Sequence, residues 1–435
     1  MRLKSVFISH YKNLKDFSLD FDGDGFIDIF VGKNGSGKSN FLEALIEIFQ
    51  HLYDFDADEP GPSFSYRLVY VIDDDKAEFC WQRGGDGEPG KLTINGEGRR
   101  TVGRIPLPDN IVAYYSGQNT HVAEIIGRFE TRFRARIRGA TLTETPRFIG
   151  IGPSYKKLLL LLVLLLPEDR PSRQFLCAKL GILGNKGSAR LTISRPVFAR
   201  RRRFDHLDPS DLFWRTAGAL REFLDQLVSC IKDGATPGAL HDREKDAYVL
   251  TVDFGLFRRV FADRAPDELF ALFNNLKILG MLGEISMDIT LNGIEISDIG
   301  MFSDGQFQSV YILAIAELFK NKNCVTLLDE PDAFLHPEWQ FDFLKQTHAI
   351  SDQAAKSNHM LMSSHSAATL IPDLNPKVRF FDLRDGIAIC YSIPKRVAIE
   401  KLSSRLIRYT EQEQLLSIIN AIQIEKKPVF FTEGS

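Results

Sequence analysis

The segment Gly32-Lys33-Asn34-Gly35-Ser36-Gly37-Lys38-Ser39 constrains this chain more than any other. It satisfies G-x-x-x-x-G-K-[S/T] in full, between a β-rich run, Phe26–Val31, and a segment whose apolar residues Leu42, Leu45, Ile46 and Phe49 keep helical spacing. Strand, glycine loop and helix in that order predict an α/β fold whose loop wraps phosphate. The glycines let successive backbone N–H groups approach phosphate oxygens, and the positive end of the following helix points the same way. Lys38 adds a mobile charge for the outer phosphates, and the Ser39 hydroxyl completes a magnesium shell. The stretch from Gly32 through Asn40 is therefore expected to hold ATP with Mg2+.

A second constraint lies near residue 330. Val325-Thr326-Leu327-Leu328-Asp329-Glu330 is an apolar strand ending in two carboxylates, which places them at the strand edge where α/β sheets bind ligands. Asp329 is expected to hold magnesium, largely through water, and Glu330 to orient or deprotonate the attacking water.

Three further segments narrow the class. Phe302-Ser303-Asp304-Gly305-Gln306-Phe307-Gln308 opens an apolar helix, Met360–Ser363 is a short strand leading to Ser364-His365, and Ile111–Tyr115 is a strand leading to Gln118. In order along the chain, these pieces resemble the motif set of ABC-type ATPases. Phe302–Gln306 is similar to the LSGGQ signature, with Asp304 replacing the first glycine of the pair. The resemblance implies that Ser303, Gly305 and Gln306 bind the γ-phosphate held by a second copy, at a helix N-terminus. It also implies that His365 is the switch histidine in catalysis beside Glu330, and that Gln118 senses magnesium.

The continuation Pro331-Asp332-Ala333-Phe334-Leu335-His336-Pro337, with the N-terminal Phe7–Leu14 strand, resembles the RecF/SMC/OLD-like branch of that class. This branch includes many restriction-associated and anti-phage ATPases. Long heptads are absent, so the extended arms of SMC proteins are not expected. His336 has two readings, a dimer-facing loop residue or a purely structural one. The last nine residues, Lys427–Ser435, are similar to the opening strand and glutamate of a TOPRIM nuclease domain. Either such a domain begins there or a terminal strand mimics it; the further carboxylates needed for its metal ions do not follow.

Charge is distributed unevenly. The net charge is −3, yet residues 128–203 contain 18 Lys plus Arg against 4 Asp plus Glu, a local +14 that leaves −17 for the rest. Arg128, Arg132, Arg134, Arg136 and Arg138 alternate with Phe129, Phe133 and Ile137, and Arg200–Arg203 follow. Such density suits DNA phosphates; an acidic face or acidic partner protein is the other reading. Five scattered cysteines without a CxxC pair fit a reducing, cytoplasmic setting. The longest apolar run, Leu158–Leu166, is far short of the ~20 residues a membrane span needs, so no membrane is expected.

The expected organisation is an α/β P-loop NTPase of ABC-type head, with a mixed core sheet, an antiparallel β layer and a helical insertion. Residues 1–119 form the first half of the head, 120–284 a mainly helical basic insertion, 285–393 the second half, opening on the alternating run Ile285–Ile296 that reads as a strand pair around Asn292-Gly293, and 394–435 a helix, Ser404–Ile422, followed by a short strand, Val429–Phe431. The expected partners are a second copy (a dimer or higher even oligomer), DNA and an effector nuclease. A repair or replication accessory is the rival reading, and a transporter ATPase a third, which the basic insertion and the LHP segment disfavour.

Overall fold

The structure is a computed structural model. It describes residues 1–403 except 22–24, 26, 86–87, 116–119, 138–145, 197–198, 200–212, 233, 235–236, 297–301, 303, 334–357 and 372–376. Within those residues the chain builds three sheets.

The central sheet has seven strands, in the order Ile387–Pro394, Lys377–Arg384, Ile27–Gly32, Asn358–Ser364, Cys324–Leu328, Asn110–Tyr114 and Phe148–Ile151. All run parallel except the first, which pairs antiparallel with Lys377–Arg384. A sheet covered on both faces needs apolar residues at nearly every position, and Cys324–Leu328 is buried throughout. Alternation then sends side chains two ways. Phe30, Ile111 and Leu327 pack with helix Lys38–Tyr53, while Val31, Val112 and Leu328 pack with the helical side, which includes Lys156–Leu165 and Asp304–Phe319.

The antiparallel layer has six strands, Leu14–Asp20, Arg2–Tyr11, Tyr66–Ile72, Asp75–Gln82, Lys91–Ile94 and Glu97–Arg99 in spatial order. It sandwiches helix Lys38–Tyr53 against the central sheet, sealing Phe41, Leu45, Ile48 and Phe49 between them. The helix that leaves the glycine loop is therefore clamped on two sides.

The third sheet orders His241–Asp242, Ala247–Asp253, Ile182–Ser194, Leu282–Leu291 and Ile294–Ile296, all antiparallel. The last two strands turn at Asn292-Gly293, both with positive φ (49° and 87°), as a two-residue hairpin requires. This sheet redraws the organisation expected for 120–284. Ile182–Ser194 pairs with Leu282–Leu291, so the strand pair assigned to the second half of the head shares a sheet with the insertion, across the 284/285 boundary. Phe148–Ile151, inside the same range, joins the central sheet beside Asn110–Tyr114. The cause is non-local: the partners of both strands lie far off in sequence. The apolar run from Leu158 is buried and helical to Leu165, and among the described residues no helix is long and apolar enough to cross a membrane. The expected helix Ser404–Ile422 and strand Val429–Phe431 lie outside the described residues.

Candidate functional site

Three neighbouring parallel strands end side by side, at Gly32, Leu328 and Ser364, and the expected chemistry sits just past those ends. The register pairs Ser364 with Val31 and Met362 with Leu328.

The loop after Gly32 is held tightly. A Cβ on Gly32 would lie 2.3 Å from the Phe381 carbonyl oxygen and 2.8 Å from Ser36 Oγ, so only glycine fits between these strands. Gly37, at φ 104°, caps helix Lys38–Tyr53 in the left-handed region. Lys38 is buried, and its ammonium donates to the carbonyls of Gly32 (2.9 Å) and Lys33 (3.2 Å). Burial draws the lysine below its ordinary value, opposed by the carboxylates of Glu330, Asp329 and Asp332. Ser36 Oγ is buried inside the loop with no hydrogen-bond partner. Asn40 donates to Asn13 Oδ1 (2.7 Å), and Asn13 in turn donates to the Gly35 carbonyl (3.2 Å), tying the first hairpin to the loop.

Asp329 accepts from Ser39 Oγ (2.9 Å) and from Ser363 Oγ (2.8 Å). Burial raises its carboxyl above the usual range, and those two hydroxyls work against the rise. The Glu330 backbone is left-handed (φ 47°), a conformation uncommon for a residue with a side chain, and its N–H donates to Ser363 Oγ (2.9 Å). Its carboxylate stands 3.5 Å from His365 Nδ1 and 4.0 Å from Lys38 Nζ. The contact with His365 holds Glu330 below the usual carboxylate range and, in turn, holds His365 above its ordinary value.

Lys38, Ser39, Asp329, Glu330 and His365 thus converge. Gln118 and Ser303 lie outside the described residues, as do His336 and Arg200–Arg203. Gly305 and Gln306 fall in the first turn of the described helix Asp304–Phe319. Two residues further on, Gln308 Nε2 donates to the Glu330 carbonyl (3.5 Å). Ser363, Ser364, Asp332, Asn13 and Gln308 were not singled out as site residues from the sequence. The serine pair directly before His365 was the available signal.

The site suits a triphosphate with magnesium on three observations. The buried Ser36 hydroxyl has no hydrogen-bond partner, Ser39 and Asp329 bring two hard oxygens together, and the Asp329 carboxyl is raised by burial. Among the described residues no cluster of three or more His, Cys, Asp or Glu could hold a metal ion.

The basic stretch is partly spent internally. Arg132 pairs with Asp54 (2.6 Å), Arg134 donates to the Ile278 carbonyl (2.7 Å) and Arg173 is buried. Arg128 and Arg132 line a cavity of about 330 Å³ together with Glu47, Asp54, Asp56 and Glu59.

Fold and loop define the class, a P-loop domain in an α/β setting of mixed sheets. Residues 1–87 match the AAA ATPase domain family. The chain is also similar to the DNA replication and repair protein RecF of Streptococcus agalactiae, 40% identical over 45 residues. That match covers 10% of this chain and only 12% of the RecF chain. Among solved structures, the SMC head domain from Thermotoga maritima aligns at 13% identity and TM-score 0.38, covering 90% of this chain and 99% of that one. The recombination mediator RecF solved with a bound ATP analogue aligns at 16% identity and TM-score 0.36, covering 89% and 97%. Both superpositions are loose.

Proposed function

We propose that this chain is an ATP-hydrolysing head of RecF/SMC/OLD-like type, in which two copies enclose two ATP molecules. The observation that carries the reading is the meeting of Lys38, Ser39, Asp329, Glu330 and His365 at the ends of three adjacent strands. The Gly32–Ser39 loop would wrap the phosphates, with Lys38 released from the Gly32 and Lys33 carbonyls towards the outer ones. Ser39 and Asp329 would hold magnesium, which neutralises developing phosphate charge when bound. Glu330 would orient the attacking water and take its proton, while His365, 3.5 Å from the same carboxylate oxygen that faces Lys38, would hold the carboxylate in place. The helix beginning at Asp304, with Ser303, Gly305 and Gln306 at its start, would cap the γ-phosphate of the other copy. The anion-binding end of a helix supports this part of the reading.

The +14 of residues 128–203 supports DNA binding through phosphate contacts. The LHP segment and the similarity of Lys427–Ser435 to a TOPRIM opening support an output through an effector nuclease, in anti-phage defence. The RecF match favours a second reading, a repair or replication accessory with no toxic effector. ATP turnover measured with and without duplex or single-stranded DNA tests the core proposal, alongside Glu330→Gln. The variant should bind ATP, stop turning over and accumulate as a dimer. Normal turnover by Glu330→Gln would overturn the assignment.

A further inference from the structure

Two consecutive serines at the end of strand Asn358–Ser364 grip the acidic turn of the neighbouring strand. Ser363 Oγ donates to Asp329 Oδ1 (2.8 Å) and accepts the Glu330 N–H (2.9 Å). Ser364 Oγ donates to Asp332 Oδ2, as does Thr369 Oγ1, and it accepts the N–H of Ser366 (3.0 Å). Four residues of this latch, Asp332, Ser363, Ser364 and Thr369, have 0% exposure. Successive residues of a strand face opposite sides, so the two serines hold the strand end from both faces.

His365 follows immediately. Asp332 therefore binds the residue before His365 and a residue four positions after it, pinning both flanks of the histidine. Asp332 also belongs to the turn that carries Glu330, where the Ala333 N–H closes onto the Glu330 carbonyl (3.2 Å). A left-handed Glu330 is not a conformation the backbone keeps unaided. Burying a carboxylate to tie two loops together costs more than apolar packing at the same place. What the carboxylate supplies instead is direction, because hydrogen bonds fix orientation as well as proximity.

We infer that Ser363 and the Asp332–Ser364–Thr369 group are positioning residues for the hydrolytic step, fixing Glu330 and His365 in mutual contact. This rests on the proposed role of Glu330. The geometry makes a specific demand: the hydroxyls need an acceptor at Asp332, and an asparagine oxygen can accept both. Charge at that position is not required.

The test compares Asp332→Ala, Asp332→Asn, Ser363→Ala and Glu330→Gln in the full chain, by steady-state ATPase and by equilibrium binding of a fluorescent ATP analogue. Misplacing a reacting group by about 1 Å lowers a rate by up to ~100-fold. Asp332→Ala should therefore lose ~10–100-fold in kcat, with KM and analogue binding changed less than about threefold, and Asp332→Asn should recover most of the rate. Ser363→Ala is the smaller change, a single hydroxyl, and carries the same expectation if Asp332→Ala does not fold. Wild-type kcat in both alanine variants beside an inactive Glu330→Gln would overturn the inference alone. Asp332→Asn as slow as Asp332→Ala would overturn it too. Full turnover by Glu330→Gln would remove the role of Glu330 and this inference with it.

Discussion

Replacing His359 by leucine tests how the antiparallel layer is fastened to the central sheet. His359 is 1% exposed. Its Nδ1 accepts the Leu3 N–H (3.0 Å), so Nε2 carries the proton and donates to Asp28 Oδ2 (2.8 Å). Arg379 donates to the other oxygen of Asp28 (3.4 Å) and lies over the Phe21 ring, which meets His359 edge-on at 5.3 Å. Leucine fills the volume but leaves the Leu3 N–H buried and unpaired, a loss of about 1–3 kcal/mol. Asp28 keeps Arg379 and its side chain is 23% exposed. Its loss is accordingly nearer ~1–2 kcal/mol than the ~3–5 of a sealed pair. The sum is about 2–5 kcal/mol, a large fraction of the stability of an ordinary domain. Urea unfolding, with hydrogen exchange followed along Arg2–Tyr11, measures it. A loss under about 1 kcal/mol would show that His359 contributes packing alone and would refute the reasoning.

The same histidine gives a pH signature. Burial holds it below its ordinary value, with Asp28 pulling the other way. The unfolded chain takes up a proton near pH ~6.5 that the folded chain refuses. Stability is therefore complete above that pH and falls as the pH is lowered towards the folded value, by up to ~1.4 kcal/mol per unit. His359→Leu should lose this component of the slope. An unchanged profile would mean that other groups produce it.

The remaining predictions concern the loop, the metal and the basic stretch. Gly32→Ala places a methyl 2.3 Å from the Phe381 carbonyl oxygen, so the strands must part. It should cost about 1–3 kcal/mol in a melting or denaturation assay and weaken ATP binding by more than tenfold; ATP affinity equal to wild type would contradict this. Chelating divalent cations should abolish ATP turnover while leaving the fold intact by circular dichroism, and persistent turnover would exclude the role given to Ser39 and Asp329. DNA affinity should fall with salt at a log–log slope of about −0.9 per phosphate contacted. A flat salt series would turn the basic stretch into a face for an acidic protein.

By itself the sequence determined the glycine loop between strand and helix, because G-x-x-x-x-G-K-S after an apolar run is a local signal: glycine at Gly32, where strands close in, and at Gly37, where φ is 104°. It also placed Asp329-Glu330 and His365 at strand ends, since short apolar runs followed by polar residues are local signals. The hairpin at Asn292-Gly293 was legible for the same reason. What the tertiary structure decided was everything that depends on which strand lies beside which. Phe148–Ile151 became a strand of the central sheet, and Ile182–Ser194 took Leu282–Leu291 as partner across the expected boundary. The arginines at 132 and 134 found Asp54 and the Ile278 carbonyl, which lie 78 and 144 positions away. Ser363, Ser364 and Asp332 form a latch only when two strands separated by a long connection are laid in register. Hydrogen bonds between distant residues leave no periodicity in a sequence, and only the folded sheet brings their partners within reach.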